Sequence, residues 1–273
     1  MNENDRVDEA TVGQFYDSLW SSGLSTAALA HGADDVGQEC LLTPREIGVF
    51  AQRAGIAAGT QVLDIGSGRG GPACYLARQL GCRVVGIDIS TVGHAQAIAR
   101  ARDEGLGHLV EFRLGGIHAV ELPHGAFDVV LGLDAWCHIP RRGELLKRCA
   151  AWLRPGGRLA FYDHVELRPM PAEQRQRFCT IWRFAGLETP RSYVAAVGAA
   201  GLRLLSSEET SAYTARFYTR ILEGYQEHRA EFEAARGPER YREGLERLKM
   251  TRKLAVTGVL GQLACIAENP GRA

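Results

Sequence analysis

The stretch "VLDIGSGRGGPACYLARQLGCRVVGIDIS", Val62 to Ser90, decides the fold. Its opening Val, Leu and Ile predict a buried parallel strand, the glycines a tight turn, "PACYLARQL" a helix and "RVVGIDI" a second strand. In such a β-turn-α-β unit the glycines let the backbone approach a ligand with no Cβ in the way. The free amides at the helix start favour a polar or negatively charged group.

Working outward, strands are expected at about 61–65, 83–88, 109–116 and 127–134, then in "RLAFYDH" (158–164), "LRLLSSEE" (202–209) and the final apolar run "VLGQLACIAEN" (259–269). Helical spacing precedes the first strand in "EATVGQFYDSLWSSG" and in "TPREIGVFAQRAG", where Thr43 is placed to cap and Pro44 to open the helix. The helix "RGELLKRCAAWLRPGG" is expected to end at Pro155 and Gly156. This alternation predicts an α/β fold: a doubly wound, Rossmann-like, seven-stranded, mostly parallel sheet with right-handed crossovers. The last strand is expected to pair with the sheet edge. Residues 1–57 read as N-terminal helices forming a lid, 58–163 as the binding core, and 164–273 as the rest of the sheet with helical cap inserts, all in a single domain.

Composition excludes several classes of partner. The 273 residues are 45% hydrophobic and carry 32 Lys+Arg against 32 Asp+Glu, so no field of one sign calls for nucleic acid or a membrane surface. The polar, acidic start "MNENDRVDEA" resembles neither a secretion signal nor a transit peptide, and no run approaches the length of a membrane span. The seven cysteines are scattered without a C-x-x-C pair, which suits a reduced, cytoplasmic protein with no Cys-based metal site. A homodimer is compatible with this composition.

Gly66-Ser67-Gly68-Arg69-Gly70-Gly71 satisfies G-x-G-x-x-G, so a dinucleotide must be weighed. Asp64 argues against it, because a carboxylate two residues before the first glycine would repel a pyrophosphate. A ligand bearing an ammonium would instead gain a charge-assisted contact there. Asp88, ending the second strand, is placed to accept hydrogen bonds from both hydroxyls of a ribose. Ammonium near Asp64 and ribose near Asp88 together describe S-adenosylmethionine.

Here "VLDIGSGRGG", "VVGIDIS", "LP…FDVVLGLDAWCHI" and "LRPGGRLAFYD" resemble the successive motifs of the class I S-adenosylmethionine-dependent methyltransferases, over roughly residues 60–163. The outer elements resemble the branch containing the sarcosine/dimethylglycine and tocopherol methyltransferases, although "LAHGADD" keeps only His31-Gly32 of that branch's His-Gly-aromatic element. The resemblance implies that Asp64, Gly66, Ser67, Gly68 and Gly70 cradle the methionine part, Asp88 the ribose and Ile89 one adenine face. The acid that often holds the adenine amine in this family is missing: the chain reads Gly115-Gly116-Ile117, leaving Ile117 to cover the base and backbone at Gly116 or His118 to meet the amine.

Transfer from a sulfonium is an in-line displacement, so alignment supplies most of the acceleration and no metal is required. Tyr16, Trp20, Leu133 and Trp136 are expected to wall the cofactor and substrate. His138, on the loop leaving the fourth strand beside Asp134, is one candidate base; Glu166, past the fifth strand, is the other, with Arg168 placed to pair an anionic substrate. In the cap, Trp182 and the stripe Tyr213, Phe217 and Tyr218 are candidates for an apolar substrate wall. The function expected is methyl transfer to N, O or C of a small metabolite in specialised metabolism. The alternatives are a prenyl diphosphate C-methyltransferase with Glu166 as base, an NAD(P)-dependent oxidoreductase, and a binding protein that has lost its chemistry.

Overall fold

The computed structural model describes residues 8–271; the first seven residues of the expected lid and the last two of the chain lie outside the described part. The elements run α1 (Glu9–Trp20), α2 (Ala28–His31), α3 (Pro44–Arg53), β1 (Gln61–Ile65), α4 (Gly71–Leu80), β2 (Arg83–Asp88), α5 (Thr91–Asp103), β3 (Val110–Leu114), β4 (Phe127–Leu133), α6 (Arg142–Trp152) and β5 (Leu153–Glu166). They continue through α7 (Ala172–Trp182), α8 (Pro190–Ala199), β6 (Arg203–Glu209), α9 (Ser211–Glu227), α10 (Arg229–Arg236), α11 (Pro238–Val256) and β7 (Leu260–Glu268). Thr43 caps α3 through a reciprocal pair with Glu46, with Pro44 at the first helical position, so the local signal is carried into the structure unchanged.

The seven strands form one sheet in the order β3-β2-β1-β4-β5-β7-β6. All pairings are parallel except those of β7, which runs antiparallel to both β5 and β6. The chain steps from β1 outward to β3, then returns to place β4 on the other side of β1. That reversal opens a crevice at the carboxyl ends of β1 and β4, where open α/β sheets bind ligands. Helices cover both faces: Ile47, Phe50 and Leu76 belong to the apolar cluster on one side, and Leu145, Cys149, Tyr193 and Val197 to the cluster on the other. No helix of the described residues is long and apolar enough to cross a membrane.

The last strand departs from expectation. Instead of forming an edge, β7 lies inside the sheet, and β6 takes the edge. The reason is in the side chains: "LGQLACIA" of β7 is buried on both faces, whereas five of the seven residues of "RLLSSEE" in β6 are charged or small polar, and the strand is mostly exposed. An edge tolerates charge and water on the flanks of a strand; an interior position does not. Helix α6 also ends at Trp152, three residues before Pro155, because the chain turns directly into β5.

Leu263 of β7 is 1% exposed, whereas Leu205 of β6 is 39% exposed. Leu263→Ala is therefore expected to cost about 2–5 kcal/mol of stability in chemical denaturation, and Leu205→Ala less than about 1. Equal losses would contradict the interior placement of β7.

Candidate active site

The turn after β1 is bent tightly enough to present its backbone. Gly66 has φ +80° and Gly68 φ +53°, a region costly for any residue with a Cβ. The amides of Gly66 and Ser67 donate to the carbonyl of Ile87 (2.8 and 3.1 Å), and the amide of Gly68 donates to Oδ2 of Asp88 (2.8 Å). Oδ1 of Asp88 accepts from the amide of Ser90 (2.8 Å), so this carboxylate fixes the turn to the start of α5 while still lining the cleft.

Asp64, at the penultimate position of β1, is 3% exposed. No basic side chain among the described residues pairs with it. Burial, helped by the nearby Asp88, raises its pKa to about 7. Burial also raises Asp88, against the hydrogen bonds it accepts. A buried carboxylate and a part-buried one thus flank one glycine turn.

These groups belong to a cleft at the carboxyl ends of β1 and β4. Around it the fold gathers, from the residues singled out in the sequence, Tyr16, Trp20, Asp64, Gly66, Ser67, Gly68, Asp88, Ile89, Ile117, Leu133, Asp134 and His138. Helix α1 forms one wall. It is docked by Asp17, whose carboxylate accepts from Ser90 Oγ, Thr91 Oγ1 (2.7 Å) and the amide of Val92 (3.0 Å) at the start of α5. Burial pushes the Asp17 carboxyl up, but these hydrogen bonds outweigh it and hold the pKa below the ordinary value.

On this wall the hydroxyl of Tyr16 lies 2.8 Å from Nε2 of His138, while Nδ1 of His138 lies 3.0 Å from the carbonyl of Arg183. A carbonyl only accepts, so Nδ1 carries the proton and Nε2 accepts from Tyr16. Burial lowers the His138 pKa to about 4. Burial raises that of Tyr16 well above its ordinary value, with nearby Cys137, Glu39 and Asp88 adding to it. Both groups are therefore neutral near pH 7, with one tautomer selected.

Other expected site residues stand elsewhere. Trp136 is fully buried on the far face of the sheet, its ring stacked on Phe161 at 4.8 Å, because Gly132 leaves room for it there. Glu166 is also buried away from the cleft, accepting from the amide of Met170 (2.7 Å) and paired with Arg175; this holds the entry to α7 and leaves no free base. Arg168 is bonded to the carbonyl of Gly258 at 3.0 Å. The indole of Trp182 donates to Thr251 of α11 (2.8 Å), and Phe217 of α9 packs on His31 of α2 (5.3 Å) with Tyr213 beside it, so these rings pack helices against one another. Gly70 caps α4 from beneath the turn, against Phe112 and Ala97. Asp134 lines the cleft, but its carboxylate accepts from the amide of Leu41 (2.8 Å) and from Gln262, with His164 Nδ1 at 3.3 Å. It joins three segments around the cleft.

Sequence reasoning missed Glu9, Val12, Glu39 and Arg69, which also line the cleft. Glu39 and Arg69 form an ion pair at 2.7 Å. Glu9 and Val12 were legible in principle: with Tyr16 and Trp20 they fall at i, i+3, i+7 and i+11, one face of α1.

Comparison with known proteins agrees with this architecture. Residues 63–161 match the family model described as a methyltransferase domain. The chain is 37% identical over 168 residues to Methyltransferase GfsG of Streptomyces halstedii, covering 60% of each chain. It is 32% identical over 220 residues to 27-O-demethylrifamycin SV methyltransferase of Amycolatopsis mediterranei, covering 77% of each. It is 28% identical over 221 residues to glycine/sarcosine/dimethylglycine N-methyltransferase of Actinopolyspora halophila, covering 80% of this chain and 38% of that one. The chain thus spans less than two thirds of the length of the Streptomyces and Actinopolyspora relatives. Its fold superposes on the cyclopropane synthase MmaA2 from Mycobacterium tuberculosis with a TM-score of 0.82 at 19% identity, covering 97% and 99% of the two chains.

A doubly wound sheet with a glycine turn between a buried acid and a part-buried one defines a nucleoside-binding protein of the Rossmann-like class. The chain belongs to the S-adenosylmethionine-dependent methyltransferase family. The residues fit that cofactor: an unpaired buried acid for an ammonium, a glycine cradle for the aminoacyl chain, and Ile89 and Ile117 for the faces of a flat base.

Asp64 yields a stability prediction. Its folded pKa lies above the unfolded value, so its contribution is intact below about pH 4 and is lost as pH rises through about 7. Asp64→Asn is expected to raise the melting temperature of the ligand-free protein at pH 8.5, by removing a cost on the order of 4 kcal/mol, while making no difference at pH 4. A lower melting temperature at pH 8.5 would show that the carboxylate is not held against burial.

Proposed function

We propose that this protein is a methyltransferase that methylates a hydroxyl group of a small specialised metabolite. The observation that carries the choice of acceptor is the Tyr16–His138 pair, neutral, fixed in one tautomer and facing the cleft beside the glycine turn. S-Adenosylmethionine, when bound, supplies an electrophilic methyl group on a sulfonium sulfur. Asp64 would pair with its ammonium, the backbone of Gly66 and Gly68 would follow its aminoacyl chain, and Asp88 would take the ribose.

A hydroxyl oxygen becomes strongly acidic only as its new bond to carbon forms. An acceptor of low basicity is enough to take that proton, whereas it would not deprotonate an alkylammonium beforehand. The Tyr16 oxygen receives the substrate proton as its own passes to Nε2 of His138, and the carbonyl of Arg183 holds the resulting imidazolium at Nδ1. Tyr16 never ionises, consistent with its raised pKa. The name of the Amycolatopsis relative supports an oxygen acceptor in specialised metabolism.

The prenyl diphosphate alternative has less support from the cleft. Glu9, Glu39, Asp64, Asp88 and Asp134 line it, against Arg69, which already pairs with Glu39, so a diphosphate would meet like charge. For the dinucleotide reading the same objection holds. We place the protein in a reducing, cytoplasmic setting, since none of the seven cysteines, all among the described residues, is in a disulfide bond.

Tyr16→Phe and His138→Gln are each expected to lower kcat for a hydroxyl acceptor by roughly 10²-fold or more, while leaving affinity for S-adenosylhomocysteine within about threefold. Because neutral His138 is required and burial depresses it to about 4, the acid limb of the parent's kcat profile is expected well below pH 6. Turnover of phenol, alcohol and amine panels checks this; full activity of both variants would remove the pair from the reaction.

A further inference from the structure

The adenine end of the cleft lacks an obvious acceptor for the base's amino group. Gly116 has no side chain, and its carbonyl already accepts from the amides of Ala119 and Val120 (3.0 and 3.1 Å). His118 is turned away, its Nε2 against the carbonyl of Pro140 at 2.9 Å. What enters this end instead is Glu9, from a distant part of the sequence.

Glu9 is the first residue of α1 and lines the cleft with Val12, Ile89, Gly115 and Ile117. Its carboxylate lies where a Cβ on residue 116 would stand, so the glycine makes room for the acid. No basic side chain among the described residues pairs with Glu9. Its position is fixed by the docking of α1: Asp17 is bonded to the start of α5, and Gly13 lies close enough to the carbonyl of Ile89 that an added Cβ would come within 3.2 Å of it.

We infer that Glu9 is the adenine-recognition residue of this protein: its carboxylate accepts the exocyclic amine of the nucleoside, replacing an acid absent at position 116. The inference rests on the cofactor reading above. It gives α1 a specificity role as well as a wall, since a helix that lifts away carries the amine acceptor with it.

The test is calorimetric titration with S-adenosylhomocysteine and with its 6-deamino analogue, which keeps the purine, ribose and amino acid. The parent is expected to prefer the amino form by roughly ten- to hundredfold, the range for a hydrogen bond to a charged group. Glu9→Ala should abolish the preference by weakening the amino form alone, and Glu9→Gln, which keeps a carbonyl, should retain part of it. Gly116 does not have a positive φ, so Gly116→Asp is unstrained; placed in the Glu9→Ala background it should restore the preference from the other side. If Glu9→Ala kept the preference, or weakened both ligands equally, Glu9 would be a helix-end charge or a packing group and the inference would fall. If the parent bound neither ligand, the cofactor reading itself would fall with it.

Discussion

A carboxylate held out of water at a glycine turn, with a second, part-buried carboxylate on the other side of that turn, constrains this molecule more than any other feature. Holding Asp64 buried beside the part-buried Asp88 is unfavourable by desolvation and by repulsion, and no basic side chain among the described residues pairs with Asp64 to offset it. The sheet accounts for how the arrangement persists. β1 and β2 are adjacent parallel strands with Asp64 in register with Gly86, two residues before Asp88, so both acids leave the sheet at one edge of the crevice. Asp88 is partly satisfied by the amides of Gly68 and Ser90. Asp64 is left as a buried anion site whose natural complement is a cation carried by the ligand, and stability is given up there for binding.

Around that pair the fold builds a closed environment from both ends of the chain. Helix α1 covers the turn from one side, with Trp20 over Gly68 and Tyr16 against His138. The loop leaving β4 closes the other side, where Asp134 holds Leu41 and Gln262, joining the segment before α3 to the interior strand β7. Low-dielectric walls strengthen each electrostatic contact within the cleft, including the neutral Tyr16–His138 pair.

The core was legible because parallel strands, glycine turns and capped helices are local signals. Val62–Ser90 specifies its own fold unit, and the placement of Asp64, Asp88 and His138 follows from strand ends alone. What was not legible depends on partners far away in sequence. Whether Trp136 faced the cleft or the opposite core was decided by Gly132 and Phe161. Glu166 reads as a base in sequence but meets Arg175 and the Met170 amide nine and four residues on, in a turn that spacing did not reveal. The position of β7 followed from burial on both faces, a signal present in "LACIA" but outweighed by chain order. Glu9 was not legible beside Gly116 because only the docking of α1, remote in sequence, brings its carboxylate there.

The measurement that bears most directly on the account is proton release on binding S-adenosylhomocysteine at pH 7, by calorimetry in buffers of different ionisation enthalpy. With Asp64 near half-protonated in the free protein, binding of an ammonium beside it should drive off about half a proton. The release should vanish by pH 9 from this group and be absent in Asp64→Asn. Tight binding with no proton released at pH 7, or no binding by the folded protein, would contradict the role given to the buried Asp64.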